Sequence, residues 1–278
     1  MDPVVPAEAT VRLIAFLAIF GGMAALELWS PRLERDELRG AWKSRRWVAN
    51  LGLVVLSSVI LRVAFPAAAV GAALWAQAND FGLLRILEVP PRPAGLLAFV
   101  LLDFAVWAEH VASHKVPLFW RFHRVHHVDT AVDVTTGLRF HPVEILASMV
   151  WKALVVVLFG APPFAVLLFE IVLNAGAMFS HSNIRLPGSV DRILRRVIVT
   201  PDMHRVHHSS TPAETDTNYG FNFAWWDRLF GTYLAQPAAG HGGMEIGLKA
   251  PRGRETTGLF WLLRFPFRRA AQKKPIGK

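Results

Sequence analysis

Apolar positions along the chain gather into five long runs, Val11–Trp29, Trp47–Trp75, Pro93–Ala112, Ile145–Leu158 and Phe164–Phe179, parted by short polar stretches. About 20 apolar residues span a bilayer as a helix, so the first three runs are long enough to cross and the last two are marginal. Phe159-Gly-Ala-Pro-Pro163 joins the last two, and glycine followed by two prolines is a helix stop and a turn. These two runs read as a tight hairpin. The pattern predicts an all-α, integral membrane helical bundle with five passes, or three plus a re-entrant pair. The first run is too long, and too weakly preceded by basic residues, for a cleaved signal peptide, and Glu27 near its end also speaks for a retained helix.

Basic residues set an orientation. Arg32, Arg35, Arg39, Lys43, Arg45 and Arg46 follow the first run, whereas Asp2 and Glu8 precede it, so the positive-inside rule puts this loop in the cytoplasm. Counting passes from there brings residues 110–141 and 181–208 to the same cytoplasmic face, as a helical cap over about 110–141 and 181–233. The expected home is a bacterial inner membrane.

The chain has 278 residues, 53% of them apolar, with a mean hydropathy of +0.34, more apolar than an ordinary soluble domain. A net charge of +9 raises the possibility of nucleic acid, but many cations flank membrane runs or crowd the end of the chain (Arg264, Arg268, Arg269, Lys273, Lys274). Anionic lipid head groups account for them, and no nucleic acid is expected. The absence of cysteine excludes disulfides, cysteine-held clusters and thiolate nucleophiles, leaving nitrogen and oxygen as metal ligands. No repeat of 20–50 residues is visible. Residues 1–252 read as one membrane-embedded domain and 253–278 as a basic tail.

Six of the eleven histidines fall in two copies of one pentapeptide, HRVHH, at 123–127 and 204–208. On a helix, His123, His126 and His127 stand at i, i+3 and i+4, as do His204, His207 and His208, so each triplet can present its rings to one side. His110 and His114 end the third run as HxxxH. Pro117 suits the first turn of a helix carrying the first copy; Thr200 as cap, Pro201 and Asp202 suit the start of the second. His141 and His181 lie between the copies. Singly, such histidines are more often hydrogen-bonded structural residues than ligands, but two identical triplets beside an HxxxH on one membrane face point to metal. One zinc site uses three or four ligands, fewer than half of this set, so two metals are implied; imidazole alone does not choose among Fe, Cu, Zn and Ni. His241 has no partner at helical spacing and is left out.

HxxxH at 110–114, HxxHH at 123–127, His141-Pro-Val-Glu144, His181-Ser-Asn183, HxxHH at 204–208, Asn218-Tyr-Gly220 and Trp226-Asp-Arg-Leu-Phe-Gly-Thr-Tyr233 together resemble the sterol desaturase and fatty acid hydroxylase superfamily, in the right order from about 103 to 233. The resemblance implies a membrane non-haem enzyme that uses two iron ions, O₂ and external electrons to hydroxylate or desaturate a lipid such as a sterol, fatty acyl chain or carotenoid. It makes His110, His114, His123, His126, His127, His204, His207 and His208 iron ligands. It also expects ligands between the copies, from His181 and His141. Members often carry a further HxxxH there, but four positions before His181 this chain has Ala177.

Asp103, seven positions before His110, and Glu170 and Asn174, eleven and seven before His181, fall near whole helical turns from those rings and are expected as residues supporting the ligands or contacting substrate. Glu109, Glu144 and Asp202 adjoin ligands and could orient imidazole N–H groups. Trp226-Asp227-Arg228 reads as packing under the cap. Other classes compatible with the histidines are a catalytically silent relative and a histidine-lined metal transporter, which would want ligands along the middle of the runs. With no fused redox domain in 278 residues, a separate reductase, ferredoxin or cytochrome is the expected electron donor.

Overall fold

The computed structural model describes residues 4–268. In chain order its helices are α1 (Val4–Trp29), α2 (Gly40–Ala64), α3 (Ala68–Ala78), α4 (Leu83–Ile86), α5 (Pro91–Lys115), α6 (Pro117–His127), α7 (Pro142–Phe159), α8 (Pro163–His181), α9 (Gly188–Leu194), α10 (Pro201–His207), α11 (Pro212–Thr215), α12 (Trp225–Leu229), α13 (Gly240–Gly243) and α14 (Leu259–Arg264). Among the described residues there is no β-strand, only isolated bridges such as Pro31 with Ile184. The all-α membrane bundle expected from the apolar runs is therefore the fold, with five helices among the described residues long and apolar enough to cross a membrane.

One run differs from its expected form. The chain from Trp47 to Trp75 is two helices, broken at Phe65, whose φ of −137° and ψ of 74° lie outside the helical region. Pro66 is the cause, because its ring disfavours helical backbone in the residue before it and it has no amide to donate. The second piece, α3, has 11 residues, about 16 Å of helix, too short to cross alone. It packs instead against α7 and α8, through Ala69, Val70 and Ala73. The pass count is unchanged.

Small side chains bring the central helices together. Ala94, Ala98, Leu102 and Ala105 form the buried stripe of α5, facing Val156 of α7 and Ala165, Val166 and Phe169 of α8. A Cβ on Gly95 would lie 2.5 Å from the Phe164 ring, so glycine is what allows α5 to approach α8. The α7–α8 hairpin turns at Gly160, whose φ of 63° and ψ of 42° are left-handed and favour glycine.

The basic flank Arg32–Arg46 is not only a loop at the head groups. Arg46 is fully buried on α2 and pairs with Asp129 through two bonds of 2.7 and 2.8 Å and with Asp133 at 2.9 Å. Arg32 pairs with Asp202, and Arg35 donates to the Met244 carbonyl. These contacts tie the flank to the two histidine-bearing segments. Of the segment expected as a tail, residues 269–278, with Lys273 and Lys274, lie outside the described residues, as does Asp2. Residues 254–268 fold against the bundle, burying Leu262 and Phe265 with Ala49, Leu53, Val125 and Val128.

Candidate metal centre

Two transmembrane helices and two cap helices deliver the histidines to one place. His110 and His114 come from the last two turns of α5, His181 from the end of α8, and the HRVHH copies from α6 and α10. Pro117 opens α6, and the Thr200 hydroxyl caps α10 by accepting from the Met203 amide at 3.4 Å. The loop after α6 is held as firmly as a helix. Asp133 accepts from the Thr135 amide and hydroxyl, Arg139 donates to the Val125 carbonyl, and Glu27 accepts from the amides of Val134 and Asn183. Burial alone would raise the Asp129 carboxyl, but the Arg46 and Arg139 guanidinium groups hold it down at about 2.

The rings form two groups. In one, His110, His114, His123, His127 and His207 each offer a ring nitrogen within 4.8 Å of the others; in the second, His126, His181, His204 and His208 do so. The two HRVHH triplets face each other across the pair, with ring centroids of His127 and His207 4.7 Å apart and those of His126 and His208 4.6 Å apart. All nine rings are buried.

Hydrogen bonding decides which nitrogens point inward. A carbonyl can only accept, so Nδ1 of His110 donates to Tyr219 O (2.6 Å), that of His181 to Ala177 O (2.7 Å) and that of His207 to Thr217 O (2.7 Å). In a neutral imidazole Nε2 is then a bare lone pair. The His110 lone pair sits 3.1 Å from His123 Nε2, which is itself 3.2 Å from His127 Nε2. That of His181 lies 3.0 Å from both His126 Nε2 and His204 Nε2, more nitrogens than one lone pair can serve. His114 Nε2, His207 Nε2 and both nitrogens of His208 are buried without any hydrogen-bond partner. Burial, with the neighbouring imidazoles adding to it, holds His126, His127, His204, His207 and His208 well below the usual histidine range, and burial alone takes His123 to about 3. Rings kept neutral with converging lone pairs are what a cation needs, and two such groups fit two metal ions.

The other expected site residues fall elsewhere. His141 reaches neither group: it caps α7, its Nδ1 accepting from the Val143 amide, and its Nε2 lies 3.2 Å from Leu263 O. Asp103 holds the loop after α10, accepting from Asn222 Nδ2, Trp226 Nε1 and the Phe223 amide. Glu170 pairs with Lys152 at 3.0 Å and Arg12 at 2.5 Å, and Asn174 donates to the Glu170 carbonyl. Seven or eleven residues keep one helix face but add about 10 or 16 Å along the axis, which carries these groups out of reach of the rings. Among the three acids adjoining ligands, Glu144 alone meets a ring of either group, at 2.6 Å from His123 Nδ1. Glu109 accepts from Ser148, and Asp202 pairs with Arg32 and Arg205.

The Ala177 carbonyl receives His181, and a Cβ on Gly137 would lie 2.6 Å from that oxygen and 3.2 Å from His181 Nδ1, so glycine at 137 is what lets the loop approach this end of α8.

Sequence reasoning missed the scaffold of Glu27, Arg46, Asp129, Asp133 and Arg139, and two aromatic walls. Tyr219, fully buried, has its ring within 5.2–5.6 Å of those of His110, His114 and His207, and Trp120 lies 5.0 Å from His114 and 5.5 Å from His127. An acid at the end of an apolar run and two aspartates just after a histidine triplet were the available signals.

The family model for fatty acid hydroxylase matches residues 95–232, which hold every one of these histidines. The chain belongs to the fatty acid hydroxylase family. Curated relatives include ornithine lipid hydroxylase OlsE of Rhizobium tropici, 32% identical over 66% of this chain and 53% of its own length. Alkylglycerol monooxygenase of Xenopus tropicalis is 31% identical over 70% of this chain and 43% of its own, and cholesterol 25-hydroxylase of Rattus norvegicus 27% identical over 51% and 47%. The chain thus spans about half the length of these relatives. No solved structure matches it.

Proposed function

We propose that the chain is an O₂-dependent, non-haem di-iron enzyme that hydroxylates a membrane lipid. The observation that carries this reading is the pair of buried imidazole groups with inward lone pairs. Their nine histidines would hold the metal, five on one side and four on the other. Bound iron would supply the redox chemistry that lets O₂ oxidise an unreactive C–H bond. The family relatives support lipid as the substrate: an ornithine lipid, an alkylglycerol and a sterol are unlike in head group, and common to them is a C–H bond delivered from a bilayer.

The chain's own residues supply orientation and dryness. Carbonyls of Tyr219, Thr217 and Ala177 fix three tautomers, and Glu144 fixes a fourth ring; such partners set ligand geometry and basicity. Apolar walls from α5, α7 and α8 exclude water and present the lipid chain. Hydroxylation converts R–H, O₂, two electrons and two protons into R–OH and water, so a separate reductase, ferredoxin or cytochrome must deliver the electrons. The basic flank of α2 supports a cytoplasmic cap, where such a donor would dock. Both ligand groups are gathered in the cap rather than strung along a path through the bilayer, which speaks against a transporter.

The test is turnover of the purified, iron-loaded protein with a chemical or ferredoxin-type reductant, host lipid extract and ¹⁸O₂. The expected product is a lipid carrying one ¹⁸O atom. A lipid that loses two hydrogens without gaining oxygen would mark a desaturase, and bound iron with no O₂ uptake would mark a silent relative; each overturns the proposal.

A further inference from the structure

A groove of about 590 Å³ lies between the first turns of α2 and the segment from Arg254 to Trp261, and no histidine lines it. Its lining includes apolar Val48, Leu259 and Trp261 together with the exposed Arg45 and Arg254. Neither arginine is paired with a carboxylate among the described residues; Arg254 lies over the Trp42 ring at 5.7 Å. Glu255 is the one acid on the lining, and its carboxylate folds back over Gly253.

The setting is a membrane interface. α2 has 25 residues, about 37 Å, longer than a hydrocarbon core of about 30 Å, so its basic first turns project to head-group level. α14 and the turn after it present Phe260 (76% exposed) and Phe267 (67% exposed) beside Arg264 and Arg268. Exposed aromatic rings interleaved with arginines on a short helix mark a segment lying at the lipid surface.

We propose that this groove binds an anionic phospholipid, its phosphate between Arg45 and Arg254 and one acyl chain along Val48, Leu259 and Trp261. Two unpaired guanidinium groups beside an apolar slot match a phosphodiester of net negative charge joined to a hydrocarbon chain; a zwitterionic head group has the phosphodiester but adds a cation that the two arginines repel, and a free anion lacks the chain. The bound lipid would brace the metal centre. Arg124, inside the first HRVHH copy, donates to the carbonyls of Phe265 and Arg268, Arg139 donates to that of Thr256, and Val125 shares a core with Leu262 and Phe265. Fixing α14 therefore fixes α6.

The experiment compares thermal unfolding of the full chain in bilayer nanodiscs of phosphatidylcholine alone and of phosphatidylcholine mixed with phosphatidylglycerol. No electron donor is present, so turnover plays no part and a failure here is separate from a failure of the hydroxylase reading. Phosphatidylglycerol is expected to raise the midpoint by about 3–6 °C and to be retained by the protein in native mass spectrometry. Arg45→Glu with Arg254→Glu should abolish both effects with the phosphatidylcholine midpoint unchanged, and Arg45→Gln with Arg254→Gln should weaken them. Arg192→Glu, on α9, should leave them intact. Inorganic phosphate should not reproduce the shift. A wild-type chain indifferent to phosphatidylglycerol, or charge-reversed and neutral variants that both keep the full shift, would overturn the assignment.

Discussion

In the first HRVHH copy, His123 and His127 join the five-ring group and His126 turns to the other; in the second, His204 and His208 join the four-ring group and His207 crosses over. The letters are the same and the division of work is inverted. Helix geometry explains why. Residues i and i+4 lie about 40° apart around the axis and can aim at one point, whereas the adjacent pair at i+3 and i+4 diverges by about 100°. Each copy therefore feeds two centres, with an i, i+4 pair to one and a single ring to its neighbour. Two copies arranged face to face complete both groups, which neither could do alone.

The copies also differ outside their rings. Arg124 reaches out to the carbonyls of the C-terminal segment, whereas Arg205 turns back to pair with Asp202. His123 has a carboxylate partner in Glu144, whereas His207 has a backbone carbonyl, and Nδ1 of His204 has no hydrogen-bond partner.

The largest expected effect comes from removing the crossing rings. His126→Ala and His207→Ala should each abolish lipid oxidation. His126→Ala should lose more metal, because its group falls to three imidazoles while the other keeps four. Equal metal loss, read by elemental analysis, would break the comparison. Next, Glu144→Gln should weaken metal binding about 10–100-fold, with the loss confined to the five-ring group, since among the described residues no carboxylate meets a ring of the other. Competition with a graded chelator measures it.

Smaller effects separate the two arginines. Arg205→Ala should cost about 2 kcal/mol of stability, the scale of charge-assisted hydrogen bonds lost from a buried site. Arg124→Ala should cost less in unfolding midpoint but expose residues 254–268 to limited proteolysis. The smallest effect is expected at His241, which belongs to neither copy. Burial lowers it to about 4, against about 6.5 in an unfolded chain. The unfolded state then binds more protons, so this group's contribution is fully present above about pH 6.5 and is lost as pH falls toward 4. His241→Ala should slightly flatten the fall of unfolding midpoint over that window and leave metal content unchanged.

Much of this architecture is legible in the sequence, and the boundary has a physical meaning. Apolar runs report burial in lipid, so five crossing helices and the α7–α8 hairpin can be read from them directly. Pro66 inside the second run was an equally local signal of the break before α3. Histidine spacing reports which rings share a helix face, so the facing triplets follow from it. What spacing does not carry is height: Asp103 and Glu170 share a face with a ligand but stand too far down the axis to reach it. Nor does it carry partners distant in the chain. Arg46 resembles any cation at a membrane boundary until the fold brings Asp129 and Asp133 to it. His141 resembles a ligand until the start of α7 claims one of its nitrogens as a cap.

The central claim is that metal is held by groups drawn from both copies rather than by either copy alone. The direct measurement is iron per chain in two triple variants beside the wild type. Removing one group, with His126, His204 and His208 all changed to Ala, should leave about one of two ions in the five-ring group. Removing one copy, with His123, His126 and His127 changed to Ala, should leave none bound tightly. Iron retained after loss of the copy, and lost entirely after loss of the group, would contradict the account.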